Sequence, residues 1–236
     1  MIKTALKTIC VHPMFGHAIA KPAMIRLSYT ALADYMTSSA HTQRKTLFDY
    51  KYPDEDEPTA KRLYYREARQ AIRAYHVGKH PENWLEEQAI SLADTAAIAH
   101  STQAASRLKS NARTLKSYSE HYSSTDLTLL PHFSGTVLYG DVQIRIVADL
   151  HAKEKKSEKI IRLDHSKDAP DQKYCSVVTQ LMYEAACAAG LQLPTSSFVV
   201  RHVASRTDYK GARAGARILK DISASCANIE ATWAAL

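Results

Sequence analysis

Asp149 and Asp164 each close a segment that reads as a β-strand. If those strands are neighbours, the two carboxylates converge. Converging carboxylates repel, raise one another's pKa and are relieved by a cation. Such oxygen donors suit Mg²⁺ or Mn²⁺, and an ion of that kind activates water against a phosphodiester. Two cations lie close by in sequence. Arg162 shares a strand face with Asp164, whereas side-chain alternation turns Lys167 away unless the strand bulges or ends first.

Other chemistry-bearing residue types give less. The eleven histidines contain no HExxH. His76 and His80 form one HxxxH, but Gly78 and Pro81 make that stretch a link between helices. Cys10, Cys175, Cys187 and Cys226 form no CxxC, which excludes a zinc ribbon, and Cys187 in its Ala-rich run reads as a core residue. GARAGAR (211–217) lacks the Walker and GxGxxG patterns. Its glycines suit close helix packing, and Arg213 and Arg217 leave open a phosphate at a helix start. Arg107, Lys109, Arg113 and Lys116 lie along one helical segment, either as a solvated face or as a rail for a phosphate backbone. Tyr64, Tyr65 and Tyr75 stand among bases, where rings either pack helices together or stack on single strands.

The elements that must position these residues change grammar along the chain. Residues 26 to about 123 read as helices. Ser28 caps one that runs through YTALADYMTSSAHTQRKTLFDYK, with Leu32, Tyr35 and Met36 inward. The acidic turn at 52–58 ends it, and Pro58 opens a second helix with Leu63, Tyr64, Ala68, Ala71 and Tyr75 near helical spacing. Pro81 starts a third, which ends at His100, and the basic fourth follows. From residue 126 strands take over: 127–140, then DVQIRIVADL, in which Val142, Ile144, Ile146 and Ala148 alternate to one face. HAKEKKSE reads as a polar loop, KIIRLDHS as a strand, 172–190 as a helix stopped by Gly190, 196–205 as a strand and 211–236 as a closing helix. The reading is an α/β protein: a mainly helical region over 1–125 and an α/β core over 126–236. Its first strands are antiparallel, and one helix makes a parallel crossover.

Composition agrees with a folded chain. Of 236 residues, 45% are hydrophobic and 23% charged, which excludes wholesale disorder. No apolar run is long enough to span a membrane, and Lys3, Lys7, His12, Pro13 and His17 interrupt the N-terminus, so neither a membrane nor a secretory signal is expected. Unpaired cysteine spacing fits a reducing, cytoplasmic setting. The net charge of +7 favours polyanionic partners, nucleic acid first.

The element order resembles the PD-(D/E)xK nuclease superfamily, in particular its RecB-like branch, which includes CRISPR-associated exonucleases. Four segments carry the resemblance: IRLSYTALADYM (25–36), similar to the short strand and helix that open such proteins; GDVQIRIVADL, similar to the motif ending in Asp; RLDHSK, similar to the Asp-Tyr-Lys-Thr motif; and VTQLMY, similar to the branch's Gln-and-Tyr helix. The resemblance implies a restriction-endonuclease-like core, strand-strand-strand-helix-strand-helix. It implies metal at Asp149 and Asp164, and catalytic roles for Asp149, Asp164, Lys167, Gln180 and Tyr183, with Arg162 as a substitute cation. His100, with His121 behind it, answers to the branch's helical histidine. The implied activity is a Mg²⁺- or Mn²⁺-dependent DNA nuclease, with DNA favoured over RNA. Ser166 stands where the motif lysine belongs, and Gln180 and Tyr183 are one residue too close. The alternative is therefore an inactive relative that binds nucleic acid or scaffolds a larger complex, such as one of a defence or mobile-element system.

Overall fold

The structure, a computed structural model, describes residues 24–53, 64–212 and 216–236. Cys10, Pro58, Leu63, Arg213 and the acidic turn beyond residue 53 lie outside them. The chain is mixed α/β. Strand β1 (Ile25–Ser28) leads into α1 (Tyr29–Thr37) and α2 (Ala40–Lys51). Three helices follow: α3 (Arg66–Gly78), α4 (Trp84–Ala97) and α5 (Thr102–Tyr122). Then come β2 (Leu127–Leu129), β3 (Ser134–Tyr139), β4 (Val142–Val147), β5 (Leu150–Glu154) and β6 (Ser157–Asp164). The chain closes with α6 (Gln172–Ala188), β7 (Phe198–His202), β8 (Thr207–Lys210) and α7 (Ala216–Ala235).

The hairpin alternation is realised. Val142, Ile144, Ile146 and Ala148 are all buried, and Gly140 takes a positive φ of 60° in the turn. One sheet runs β1-β4-β3, with β1 parallel to β4, and the other runs β2-β5-β6-β7-β8. β3 with β4 and β5 with β6 are antiparallel, and α6 makes the parallel crossover from β6 to β7. β7 is buried along its whole length, as a central strand covered on both faces must be. Ile160, Phe198 and Val200 join a core with α1, α2, α6 and α7, whereas Ile161, Leu163 and Val199 join one with α3, α4 and α5. The helices thus form two layers on opposite faces of the larger sheet.

Several boundaries differ from the sequence reading. The segment 29–51 is two helices, because Ser38 is extended and the Ser39 hydroxyl caps a new start at Thr42. Strand 127–140 breaks around Pro131. HAKEKKSE is mostly strand: His151 hydrogen-bonds Glu158, Glu154 pairs with Lys159 and Arg201, and Lys155 turns the chain at φ 57°. A 3₁₀ turn (Thr195–Ser197) precedes β7, and β8 is an added edge strand. The third helix ends at Ala97, leaving His100 exposed beyond it. Cys187 is exposed on α6, outside the core face that holds Cys175.

Candidate functional site

Asp149 stands where the chain passes from one sheet to the other. The Ala148 N–H still donates to Phe133 on the first side, while the Asp149 N–H donates to Ile161 of β6. Its carboxylate then meets β6 edge-on. Oδ2 accepts from Arg162 Nη1 at 2.7 Å and from the Leu163 N–H at 2.8 Å, and Oδ1 lies 3.6 Å from Arg69 Nη1 on α3. The Asp149 side chain is 7% exposed, against 23% for Arg162 and 32% for Arg69. The carboxylate is therefore buried and the two guanidiniums reach toward solvent. Burial works against the Arg162 charge, but Asp149 and the phenols of Tyr29 and Tyr174 hold its pKa above the ordinary value.

The surroundings are largely aromatic. Tyr29 donates to the Val147 carbonyl at 3.0 Å, and burial raises both its phenol and that of Tyr174. His165 is 8% exposed, has no hydrogen-bond partner at either ring nitrogen and lies 4.8 Å from the Tyr65 ring. Burial pushes its pKa down to about 3; Asp149 pulls upward, while Arg162 and Arg69 push further down. Asp34 on α1 is open to solvent and close enough to Arg162 and Asp164 for their charges to act on it.

Asp164, the last residue of β6, accepts the Ser166 N–H at 2.9 Å. Ser166 in turn shapes the loop: its hydroxyl donates to the Asp168 carbonyl at 2.7 Å, and its own carbonyl lies 3.0 Å from His202 Nε2. Ser166 is thus committed to closing the loop after β6. β6 has ended before Lys167, which is exposed.

The structure does not bring Gln180 and Tyr183 to Asp149. Gln180 is buried and donates to Glu184 at 3.0 Å, and Glu184 accepts from the Tyr139 phenol at the turn end of β3. Tyr183 packs edge-on against Phe198, 5.6 Å between centroids. Phe198 is in register with Ile160, midway along β6, whereas Asp164 is in register with His202, so Tyr183 packs at the end of β7 away from Asp164. Tyr174, in the first turn of α6, is the residue of that helix that senses Arg162.

On α5, Arg107 pairs with Glu67 at 3.3 Å and is removed from the expected rail. Lys109, Arg113 and Lys116 are exposed at i, i+4 and i+7, on one face. His121 sits edge-on to Tyr122. His76 bonds the Tyr118 hydroxyl at 2.9 Å, and His80 stacks on Trp84 at 4.2 Å, so the HxxxH pair is split between two structural tasks.

A second ionic cluster joins β5, β7 and β8 of the larger sheet. Arg201, 1% exposed, grips Asp208 with two bonds of 2.8 Å and reaches Glu154 at 3.0 Å. Its guanidinium lies 4.5 Å from the Tyr122 ring.

The donor set at Asp149 does not fit a divalent cation: both carboxylate oxygens are engaged by guanidiniums and a peptide N–H. Among the described residues no group of three or more His, Cys, Asp or Glu side chains could hold a metal. Sequence reasoning missed Arg69, Tyr29, Tyr174 and His165. Only the burial of His165 beside the motif aspartate had a signal, in the alternation of β6. No family model matches the chain, and no curated protein does. Among the described residues no helix is long and apolar enough to cross a membrane.

Proposed function

We propose that the chain is a PD-(D/E)xK-like protein that binds nucleic acid, DNA in preference to RNA, without cutting it. The observation that carries this reading is the closed charge balance at Asp149: Arg162 at 2.7 Å and Arg69 at 3.6 Å stand where a metal-dependent nuclease needs a cation to bind. Fixed guanidiniums neutralise the carboxylate but cannot deliver an activated water. Ser166 in place of the motif lysine, committed to the loop after β6, supports the same reading.

Binding is supported by the +7 charge and by the exposed stripe of Lys109, Arg113 and Lys116. A stripe of this kind neutralises backbone phosphates and releases counterions, so affinity falls steeply with salt. The test uses labelled single- and double-stranded DNA and RNA, with Mg²⁺ and with Mn²⁺. Expected are salt-sensitive binding and no cutting. Metal-dependent cutting that Asp149→Ala and Asp164→Ala both abolish would restore the nuclease reading, and no binding to any nucleic acid would end this one.

A further inference from the structure

The stripe on α5 leaves unexplained an exposed surface in the other helical layer. Of the residues of α2, only Leu47 is buried. At 3.6 residues per turn, His41, Lys45, Phe48 and Tyr52, the last being the helix C-cap, fall on one side, turned from Leu47, and Arg44 borders that side next to Leu47. All five are exposed, Phe48 by 51% and Tyr52 by 49%. The two rings lie 5.0 Å apart between centroids, tilted by 51°. Asp49 is the one acid in the helix, and it stands at the edge of this face.

The platform is anchored from behind. Lys51 donates to the Trp233 carbonyl of α7 at 2.7 Å, and its ammonium lies 5.5 Å from the Tyr52 ring and 5.9 Å from the Trp233 ring. The Tyr52 hydroxyl donates to the Leu236 carbonyl at 3.3 Å. Tyr52 is thereby held at the helix end with its ring half open to solvent. Rings fixed in this way lose little conformational freedom on receiving a flat ligand.

We infer that this face of α2 is a stacking platform for single-stranded nucleic acid, with Phe48 and Tyr52 receiving bases and Arg44 and Lys45 the adjoining phosphates. The inference rests on the nucleic-acid-binding reading above and adds a strand preference and a surface to it. The occupant follows from the chemistry of the face. Aromatic faces beside Arg44 and Lys45 match a polyanion with unpaired bases, the acidic residues 54–57 that follow Tyr52 lying outside the described residues, and stacking tolerates any sequence. A duplex keeps its base faces inside. A lipid surface needs a broad apolar helical face, and here Phe48 is the one large aliphatic-free apolar ring among phenol and charge. Leu47 belongs to the core on one face of the larger sheet and Leu115 of α5 to the core on the other, so this platform and the α5 stripe are separate surfaces that can be removed separately.

The experiment measures fluorescence anisotropy of labelled oligothymidylate, oligouridylate and a DNA duplex, together with co-sedimentation with equimolar phosphatidylserine–phosphatidylcholine vesicles. Proteins are the full chain, Phe48→Ala/Tyr52→Ala, Arg44→Ala/Lys45→Ala and Lys109→Ala/Arg113→Ala/Lys116→Ala, with circular dichroism and melting as checks on folding. The expected result is that Phe48→Ala/Tyr52→Ala weakens single-strand binding roughly tenfold or more while leaving duplex binding within about twofold. Phe48→Trp, expected to keep the affinity, gives a fluorescence that oligothymidylate quenches. Unchanged single-strand binding in both α2 variants, with loss in the α5 variant, overturns this inference and leaves the binding reading intact. So does vesicle binding that the α2 variants lose while their single-strand affinity holds. No nucleic-acid binding by the unaltered chain overturns both.

Discussion

Arg201 and Arg162 are both arginines of the larger sheet paired with carboxylates, and they are used in opposite ways. At Arg201 one guanidinium serves two acids, Asp208 and Glu154, and is 1% exposed. At Arg162 two guanidiniums serve one acid, Asp149, and stay 23% and 32% exposed. The first cluster is enclosed: it fixes β8 to β7 and β5 beneath Tyr122. The second stays partly open to solvent, with Tyr29 and Tyr174 close enough to Arg162 to act on its charge. The same ion-pair chemistry thus ties three strands together in one place and neutralises, in the other, the carboxylate around which a metal site would have to form.

The comparison can be broken at its stronger side first. Arg201→Met leaves Asp208 and Glu154 without their shared cation inside the fold. Breaking a buried pair from one side costs about 3–5 kcal/mol, read by chemical denaturation. A loss below about 1 kcal/mol would mean that the cluster does not hold β8. Asp149→Asn removes the charge but keeps an oxygen for the Leu163 N–H, so the expected loss is smaller, about 2 kcal/mol. Arg162→Lys keeps the charge on a more flexible stem without the planar fork, with a loss of about 1 kcal/mol in the same assay.

Smallest at neutrality is the effect of acid, which sharpens the comparison by giving each cluster its own histidine. Burial, with Arg201 close by, pushes His76 down to about 4, and burial pushes His165 down to about 3. Unfolded, both take up a proton near 6.5, so between there and the folded values the unfolded chain binds more protons. These two histidines therefore lower stability as pH drops from about 6.5 toward 4 and contribute no slope above about 7, whereas Asp34, which burial raises to about 6, works in the opposite direction in that window. His76→Phe and His165→Phe should each flatten part of that slope in denaturation curves taken across the window. A slope unchanged in both variants would assign acid sensitivity to other groups.

What was legible in the sequence follows from the range of each interaction. The alternation of Val142, Ile144 and Ile146 is local and period two, so the hairpin, the parallel crossover and the position of Asp149 could be read directly. Arg69 could not. It reaches Asp149 from α3, and nothing in the spacing of an amphipathic helix marks one of its arginines for a strand far along the chain. β5 was hidden because Lys153, Glu154, Lys155 and Lys156 look like a solvated loop, whereas Glu154 is drawn inward by Arg201 and Lys159. Gln180 and Tyr183 illustrate the converse: a motif match on one helix face said nothing about which residues of α6 stand near Arg162, and Tyr174 is the one that does. Motif spacing alone did not specify the full set of neighbours of Asp149 for the same reason, since charge balance is a property of the folded arrangement and not of a motif.

The most direct test of that balance is a calorimetric titration of Mn²⁺ into the full chain, beside Asp149→Asn. With Arg162 and Arg69 neutralising the carboxylate, both proteins should give only the heat of dilution. Saturable Mn²⁺ binding by the unaltered chain that Asp149→Asn abolishes would show that the guanidiniums yield to a metal, and would contradict the account.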